Sequence, residues 1–449
     1  MKKKFFLTTS NKAGLTKFLL LTSFKNAKLN LNENKIKKII YFPIPDLKFL
    51  FLNIYNLFYG LTFNKKKLID IKFLNSKVGI YIINDTYKKK SSYKSKLFFN
   101  LNFLISFIKV ACKIFSIKFY YHFYNFDYIF IDHANYLNGC FLKYLKIKKK
   151  IIYTTAYPRH IFKILPKDNY PEERRVKFFN NNLSRNQTRL VLNIRKKIFK
   201  KNSHLYHVRN IKFKKINKSK YENLERYEYI IYCHSFFDLP LNYGFDGFIN
   251  MLEWLKFTIE YLASQNKKII IKAHPNFYNP QSKYAMWDKE IFEKKILSKF
   301  EINKNILIIN EQYNNLKLIK KLSKNCVAIT HHGSVLLEMA HNKFKVISSK
   351  YNLYNNTYKI SNNWGSIAEY KKLLNFNTKN LKKTNYNHFN KLILNLFCNK
   401  DYFYSENSYY NYLRKIINPK QDLTKKKIEE IFKKKDLLSI EKIAKNYYF

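Results

Sequence analysis

Glycine and proline are scarce, with eight and nine copies in 449 residues. That excludes collagen-like and Gly/Pro-rich low-complexity architectures. Cysteine is rarer still, with five copies. Cys112, Cys140, Cys233, Cys326 and Cys398 are odd in number, widely spaced and form no CxxC pair. Neither a disulfide framework nor a cysteine zinc site is indicated, and a reducing cytosol fits. Arginine supplies only nine of the 85 basic residues. Phosphate and base readout favour its planar fork, so the formal charge of +55 is not by itself a nucleic-acid signature. No clean membrane span is present. The best stretch, Leu97 to Tyr121, carries Asn100, Asn102, Lys109, Lys113 and Lys118 and reads as a buried or interfacial helix. Phe5-Phe6-Leu7 after a basic start is too short for a signal-peptide core.

What is abundant is lysine, phenylalanine and tyrosine, about a third of the chain. A/T-rich coding accounts for that bias. With 46% hydrophobic residues the chain can build sizeable cores, and its length suits two to three domains. The basic surface favours acidic substrates and admits a peripheral contact with the anionic inner membrane.

Short apolar runs alternate with helical patterns. In the first half they are Ile39 to Phe42, Val78 to Ile83, Tyr128 to Ile131 and Ile151 to Thr155. The second half has Tyr229 to Cys233, Ile269 to Ala273, Ile306 to Ile309, Val327 to Thr330 and Phe344 to Ser348. Near-continuous apolar strands between helices predict parallel sheets buried on both faces. Two such series predict an α/β chain of two Rossmann-like, doubly wound domains. The divisions expected are 1–165, a polar linker 166–225, 226–398 and a helical, Lys-rich tail 399–449. The linker region holds Arg174, Arg175, Arg185, Arg189, Arg195 and Arg209, with Arg226 just beyond. It is either a solvated linker or an anion-facing segment.

The histidines are the strongest chemical signal. His133, His234, His274 and the pair His331-His332 fall at or just after the ends of predicted strands. Open parallel sheets bind ligands outside the carboxyl ends of their strands, so a shared site is expected there. After the last of these runs comes His332-Gly333-Ser334, then a helix carrying Glu338. Gly333 suits a tight turn. Ser334 is either an N-cap or a phosphate donor, and Glu338 either a first-turn acid or a ribose acceptor.

In these segments the chain resembles a known family. His332-Gly333-Ser334 with Glu338, followed by Lys343 to Ser348, resembles the donor-binding loop of GT-B glycosyltransferases. Lys272-Ala273-His274-Pro275-Asn276 is similar to the "HP" element of bacterial sialyltransferases and capsule polysaccharide transferases. Tyr232 to Asp238 with Trp254, and Asp132 to Gly139, resemble parts of the same surface-polysaccharide enzymes. The resemblance implies two domains facing across a cleft and transfer from a nucleotide-sugar donor to a glycan or lipid-linked acceptor. It implies that His234, His274, Pro275, His331, His332, Gly333, Ser334, Glu338, Ser348 and Ser349 serve the donor. Asp132 and His133, with Asp238 behind them, are the candidate bases, although Asp beside His is also an ordinary structural pair. No DxD motif stands out, so no metal and no cofactor beyond the nucleotide-sugar co-substrate is expected. A cytoplasmic enzyme, peripheral at the inner face of the membrane, follows, with no specific nucleic-acid partner. A nucleotide-sugar 2-epimerase or a polyol-phosphate transferase could use the same scaffold. A nucleic-acid-binding protein would instead use the +55 charge directly.

Overall fold

The computed structural model describes residues 4–8, 28–32, 47–73, 76–124, 128–132, 140, 151–155, 163–164, 182–199, 221–238, 241, 244–278, 282–311, 313–352, 354–355 and 358–398. The chain divides into two compact units. One comprises Met1–Thr86, Asn100–Arg174 and Cys398–Phe449; the other comprises Tyr87–Phe99 and Arg175–Phe397. The expected tail helix and the expected strand at Ile39 to Phe42 lie outside the described residues.

The first unit carries strands β1 (Lys4–Thr8), β2 (Lys28–Asn32), β5 (Tyr128–Asp132), β6 (Ile151–Thr155) and β7 (Lys163–Ile164) in one sheet, ordered β2-β1-β5-β6-β7. All neighbours are parallel except the final antiparallel pair. The apolar run at the amino terminus is thus a strand, with Phe5 opposite Tyr128. A two-stranded hairpin, β3 (Lys72–Phe73) with β4 (Ser76–Lys77), stands apart. Helices α1 (Leu47–Thr62), α2 (Gly79–Tyr87) and α3 (Lys96–Tyr124) accompany them.

The expected strand at Val78 to Ile83 is instead the start of α2. The N–H groups of Val78 and Gly79 both donate to the Ile71 carbonyl, at 2.9 and 3.2 Å, which turns the chain into the helix. A Cβ on Gly79 would lie 2.0 Å from the Leu68 carbonyl oxygen, so only glycine allows that approach. A short apolar run buried all round does not reveal its period, and tertiary packing decided this one.

The second unit holds six strands: β8 (Tyr229–Tyr232), β9 (Ile269–Lys272), β10 (Ile306–Ile309), β11 (Val327–Thr330), β12 (Lys345–Ser349) and β13 (Asn362–Trp364). Their order is β10-β9-β8-β11-β12-β13 and every neighbouring pair is parallel. This is the doubly wound order in which the first strand lies centrally and the chain reverses direction between it and the fourth. All residues of β8, β9 and β11 are buried, as continuous Ile/Val runs require when helices cover both faces.

Helix α5 (Met251–Ser264) packs Trp254, Leu255, Ile259 and Leu262 into the core with Ile231, Ile271 and Ile329. Asn250 caps it, its Oδ1 accepting the Glu253 N–H at 2.8 Å. The Trp254 indole and the Thr258 hydroxyl both meet the Tyr370 hydroxyl, at 3.2 and 2.7 Å, satisfying polar atoms that burial would otherwise strand. Helices α6 (Lys283–Phe292), α7 (Asn315–Ile319), α8 (Val335–His341), α9 (Ile367–Asn375) and α10 (Tyr386–Cys398) complete the unit, with α4 (Arg185–Ile198) preceding them.

Helix α4 begins with a capping box between Ser184 and Gln187. Its Arg195 has a partner set internal to the unit. The guanidinium donates to His341 Nδ1 at 3.3 Å and Asn390 Oδ1 at 3.0 Å, and lies over the Tyr386 and Phe389 rings. This member of the arginine cluster ties α4 to α8 and α10.

Candidate functional site

The site is built at the carboxyl ends of β9, β8 and β11, neighbours on either side of the topological switch between β8 and β11. That position is where open α/β sheets form their ligand crevice, because strand ends splay there and adjacent loops part in opposite directions. His234 follows β8, His274 follows β9, and His331-His332 follow β11. Ring centroids of His234 and His274 are 5.6 Å apart, those of His234 and His332 6.1 Å, and those of His331 and His332 4.3 Å. Four of the five strand-end histidines are therefore neighbours. His133 lies outside the described residues, and Asp132 is the last residue of β5.

Each ring is held by its surroundings. His274 Nδ1 accepts the Asn276 N–H at 3.2 Å, which leaves the proton of a neutral ring on Nε2. Burial, with the neighbouring His234 and Lys272, pushes its pKa down to about 3. The ring is neutral at physiological pH and offers one N–H. Pro275 opens the single turn Pro275–Tyr278, where a missing N–H leaves no bond unmade. His234 turns Nδ1 toward the Ser235 carbonyl at 3.3 Å and Nε2 toward Asp238 Oδ2 at 4.0 Å. The Asp238 side chain is 57% exposed.

The loop after β8 is anchored by Asp288 of α6, a residue that none of the sequence motifs includes. Its carboxylate accepts the Ser235 hydroxyl at 2.6 Å and the Phe236 N–H at 2.7 Å. Burial dominates these bonds and raises its pKa to about 7. Asp288 sits between Ala285 and Ile291-Phe292, all buried, and that spacing puts it on the apolar stripe of α6. An acid on an apolar stripe is the signal that could have found it. The Tyr93 hydroxyl donates to the Phe236 carbonyl and reinforces the same loop.

His331 lies deeper. Its Nε2 is 3.0 Å from Asp246 Oδ2, and its ring packs edge-on against Trp254 and Trp364 at centroid distances of 5.3 and 5.8 Å. Burial opposes ionisation of Asp246, but His331, Ser349 and the Phe248 N–H together hold the carboxyl below its usual value. Gly333 has φ +107°, a conformation that L side chains rarely adopt, as its expected turn requires. Along the direction a Cβ would take, the nearest atom is His234 Cδ2 at 3.8 Å, an ordinary van der Waals contact, so the Gly333 backbone lies directly beside that ring.

Glu338 is not a simple surface acid. Asn315 Nδ2 donates to its Oε2 at 2.5 Å, and the Tyr232 hydroxyl donates to Asn315 Oδ1 at 2.8 Å. Burial raises the Glu338 pKa, partly offset by Asn315 and Lys272. Burial likewise lowers the Lys272 ammonium to about 8, with Glu338 opposing. The strand ends thus carry a polar chain of Tyr232, Asn315 and Glu338, with Lys272 near enough to Glu338 for each to shift the other. Ser334 occupies the N-cap position of α8, but its backbone is helical and its side chain makes no capping bond, so the expected hydroxyl cap is absent. Ser348 and Ser349 are fully buried. The Ser348 hydroxyl meets Ser361 Oγ at 2.8 Å and receives Asn355 Nδ2, while Ser349 Oγ accepts the Tyr351 N–H at 3.2 Å. Both hydroxyls are engaged in an internal network. Among the described residues no group of three His, Cys, Asp or Glu is arranged to hold a metal ion.

No protein-family model matches the chain, and no curated protein matches it in sequence. Two solved structures are similar in part. One is KpsC of Thermosulfurimonas dismutans, a β-Kdo 2,4-transferase, at 10% identity and TM-score 0.38, covering 61% of this chain and 81% of that one. The other is the UDP-GlcNAc 2-epimerase of Methanocaldococcus jannaschii, in complex with UDP-GlcNAc and UDP, at 14% identity and TM-score 0.26, covering 70% of this chain and 95% of that one.

Proposed function

We propose that this chain is a glycosyltransferase that takes a nucleotide-sugar donor at the carboxyl edge of the β8–β13 sheet and passes the sugar to a glycan or lipid-linked acceptor. The convergence of His234, His274 and His332 beside the Gly333 turn, at the switch point of a doubly wound sheet, carries the reading. A neutral ring that presents Nε2–H suits a phosphate oxygen, since a donor in a partly dry site stabilises charge without itself needing a counter-ion. The Lys272 ammonium adds positive potential at the same strand ends, and Glu338, steadied by Asn315, is an acceptor suited to sugar hydroxyls. In this reading, charge on the leaving phosphate is met by these groups, and no metal or further cofactor takes part. Asp132, His133 or Asp238 serves as the base toward the acceptor hydroxyl. The work is cytoplasmic, at the inner face of the membrane.

The test is a thermal-shift panel with CMP, CDP, UDP and GDP, followed by product analysis with the matching nucleotide-sugars. A ligand at 100 times its dissociation constant stabilises the fold by about 2.7 kcal/mol. Stabilisation by one nucleotide, abolished in His274→Ala, with sugar transferred to an acceptor, supports the proposal. Conversion of the donor to a 2-epimer without acceptor would replace it with the epimerase reading.

A further inference from the structure

Helix α3 has two faces, and both are apolar. The inner face of its first-unit part buries Asn102, Phe103, Ser106, Val110 and Ile114. Ser106 Oγ donates to Asp85 Oδ2 of α2 at 2.8 Å, which fixes that face against the protein. The outer face carries Leu101, Leu104, Ile105 and Ile108, spaced i, i+3, i+4 and i+7 along one stripe. All four are exposed, Leu101 at 53% and Ile108 at 60%. The segment Lys96–Ile114 is long and apolar enough to cross a membrane, yet only a third of it is buried. A helix with one face in the protein core should present polar residues on the other; this one presents aliphatic side chains to water.

The charge along this stretch of sequence is one-sided. Between Leu47 and Ile114 the sequence has thirteen lysines and two acids, Asp70 and Asp85. Both acids are engaged, Asp70 with Lys77 at 3.3 Å and Asp85 with Ser106. Lys109 is exposed on α3 itself, and Lys65, Lys66 and Lys67 follow the end of α1. Helix α1, joined to α3 where Asn100 Nδ2 donates to the Leu61 carbonyl at 3.2 Å, exposes Ile54, Tyr55 and Phe58.

We infer that the outer stripe of α3 is a docking surface for an anionic phospholipid bilayer, on which the helix lies in the interfacial plane. An aliphatic stripe gains by leaving water for the acyl boundary, while lysines stay at the level of the headgroups through their long stems. The excess of lysine over acid in this stretch of sequence matches a negatively charged surface, and its two acids are paired with Lys77 and Ser106. The helix does not span, because its other face is bonded to Asp85 and packed in the unit, where lipid cannot replace those partners. This inference is independent of the catalytic reading.

The experiment is co-sedimentation of the full chain with vesicles of phosphatidylcholine containing phosphatidylglycerol, and with phosphatidylcholine alone. Binding is expected to the anionic vesicles and to weaken as salt rises. The double substitution Leu101→Gln with Ile108→Gln, at exposed positions, is expected to reduce partitioning by about tenfold or more. An unchanged melting temperature shows that the fold survives. In a separate chain, Leu104→Trp is expected to gain blue-shifted emission only with anionic vesicles. Equal vesicle binding by parent and double variant would overturn the inference. So would resistance to alkaline extraction, which would make α3 a spanning helix, or a dimer in sedimentation velocity that Ile108→Gln dissolves, which would give the stripe to a second copy.

Discussion

His331 Nε2 lies 3.0 Å from Asp246 Oδ2 with both side chains 2% exposed, between Trp254 and Trp364. The pair lies deeper than the other three strand-end rings, and His331 touches His332 at a centroid distance of 4.3 Å. Such a pair fixes where the loop after β11 sits. Removing one partner leaves the other's polar atoms buried without compensation. Asp246→Ala is therefore expected to cost about 3–5 kcal/mol in denaturant unfolding. Asp246→Asn, which keeps an acceptor for the ring, should cost less. A parental unfolding midpoint for Asp246→Ala would show that the pair does not hold the loop.

His274 and Glu338 should respond differently to truncation. His274→Ala removes one N–H donor from the crevice, and losing a contact to a charged phosphate costs about 1.5–3 kcal/mol of nucleotide affinity. His274→Gln, which restores an N–H near the Nε2 position, should recover part of it. Glu338→Ala is expected to weaken nucleotide binding and also lower the melting temperature, because Asn315 and Lys272 lose a buried partner. Calorimetric titration beside thermal melts separates the two effects. Parental affinity in both alanine variants would move the nucleotide elsewhere.

The sequence makes the strands legible and hides their supports. Ile, Val and Tyr runs give β8 to β11 because a strand buried on both faces must be apolar throughout. The histidines at their ends stand out because polar residues there break the run. β13 was not legible. Its Asn362-Asn363-Trp364 has no apolar run, and Asn362 instead holds its place through Nδ2 to the Val346 carbonyl at 3.1 Å and to the Lys382 carbonyl at 3.0 Å. Asp246 and Asp288 were hidden for a related reason. Neither lies in a motif, and the side chains they hold, His331 for Asp246 and Ser235 for Asp288, lie 85 and 53 positions away.

Asp288 makes a pH dependence opposite to that of most carboxylates. Its pKa is about 7 in the fold against 3.8 free, so the unfolded chain releases the proton first. Its contribution to stability is present below the free value and is lost as pH climbs through about 7. The loss amounts to about 1.4 kcal/mol for every pH unit by which the folded value exceeds the free one. Unfolding of the parent and of Asp288→Asn between pH 4.5 and 8 should show a decline in the parent that the variant lacks. If both curves have the same slope, Asp288 is ionised throughout and the loop after β8 is held by other means.

Salt separates the crevice from the lysine surface. The charge of +55 is almost all lysine, and exposed charges act over about 10 Å at 0.1 M salt and less above it. Any nucleic acid attracted to that surface should bind in the range of about 10⁻⁴–10⁻⁶ M at physiological salt and be lost steeply as salt rises. The crevice is built differently. His332 and Lys272 are buried, and the His274 ring is neutral, so in the proposed site it would meet a phosphate through an N–H rather than through a screened charge. Nucleotide affinity should therefore fall far less than nucleic-acid affinity over the same salt series, with His274→Ala lowering the first and leaving the second unchanged. Tight, sequence-selective nucleic-acid binding that survives high salt would give the basic surface the leading role. A nucleotide affinity that collapses along with it would mean the phosphate is held by exposed lysines and not by the strand-end histidines.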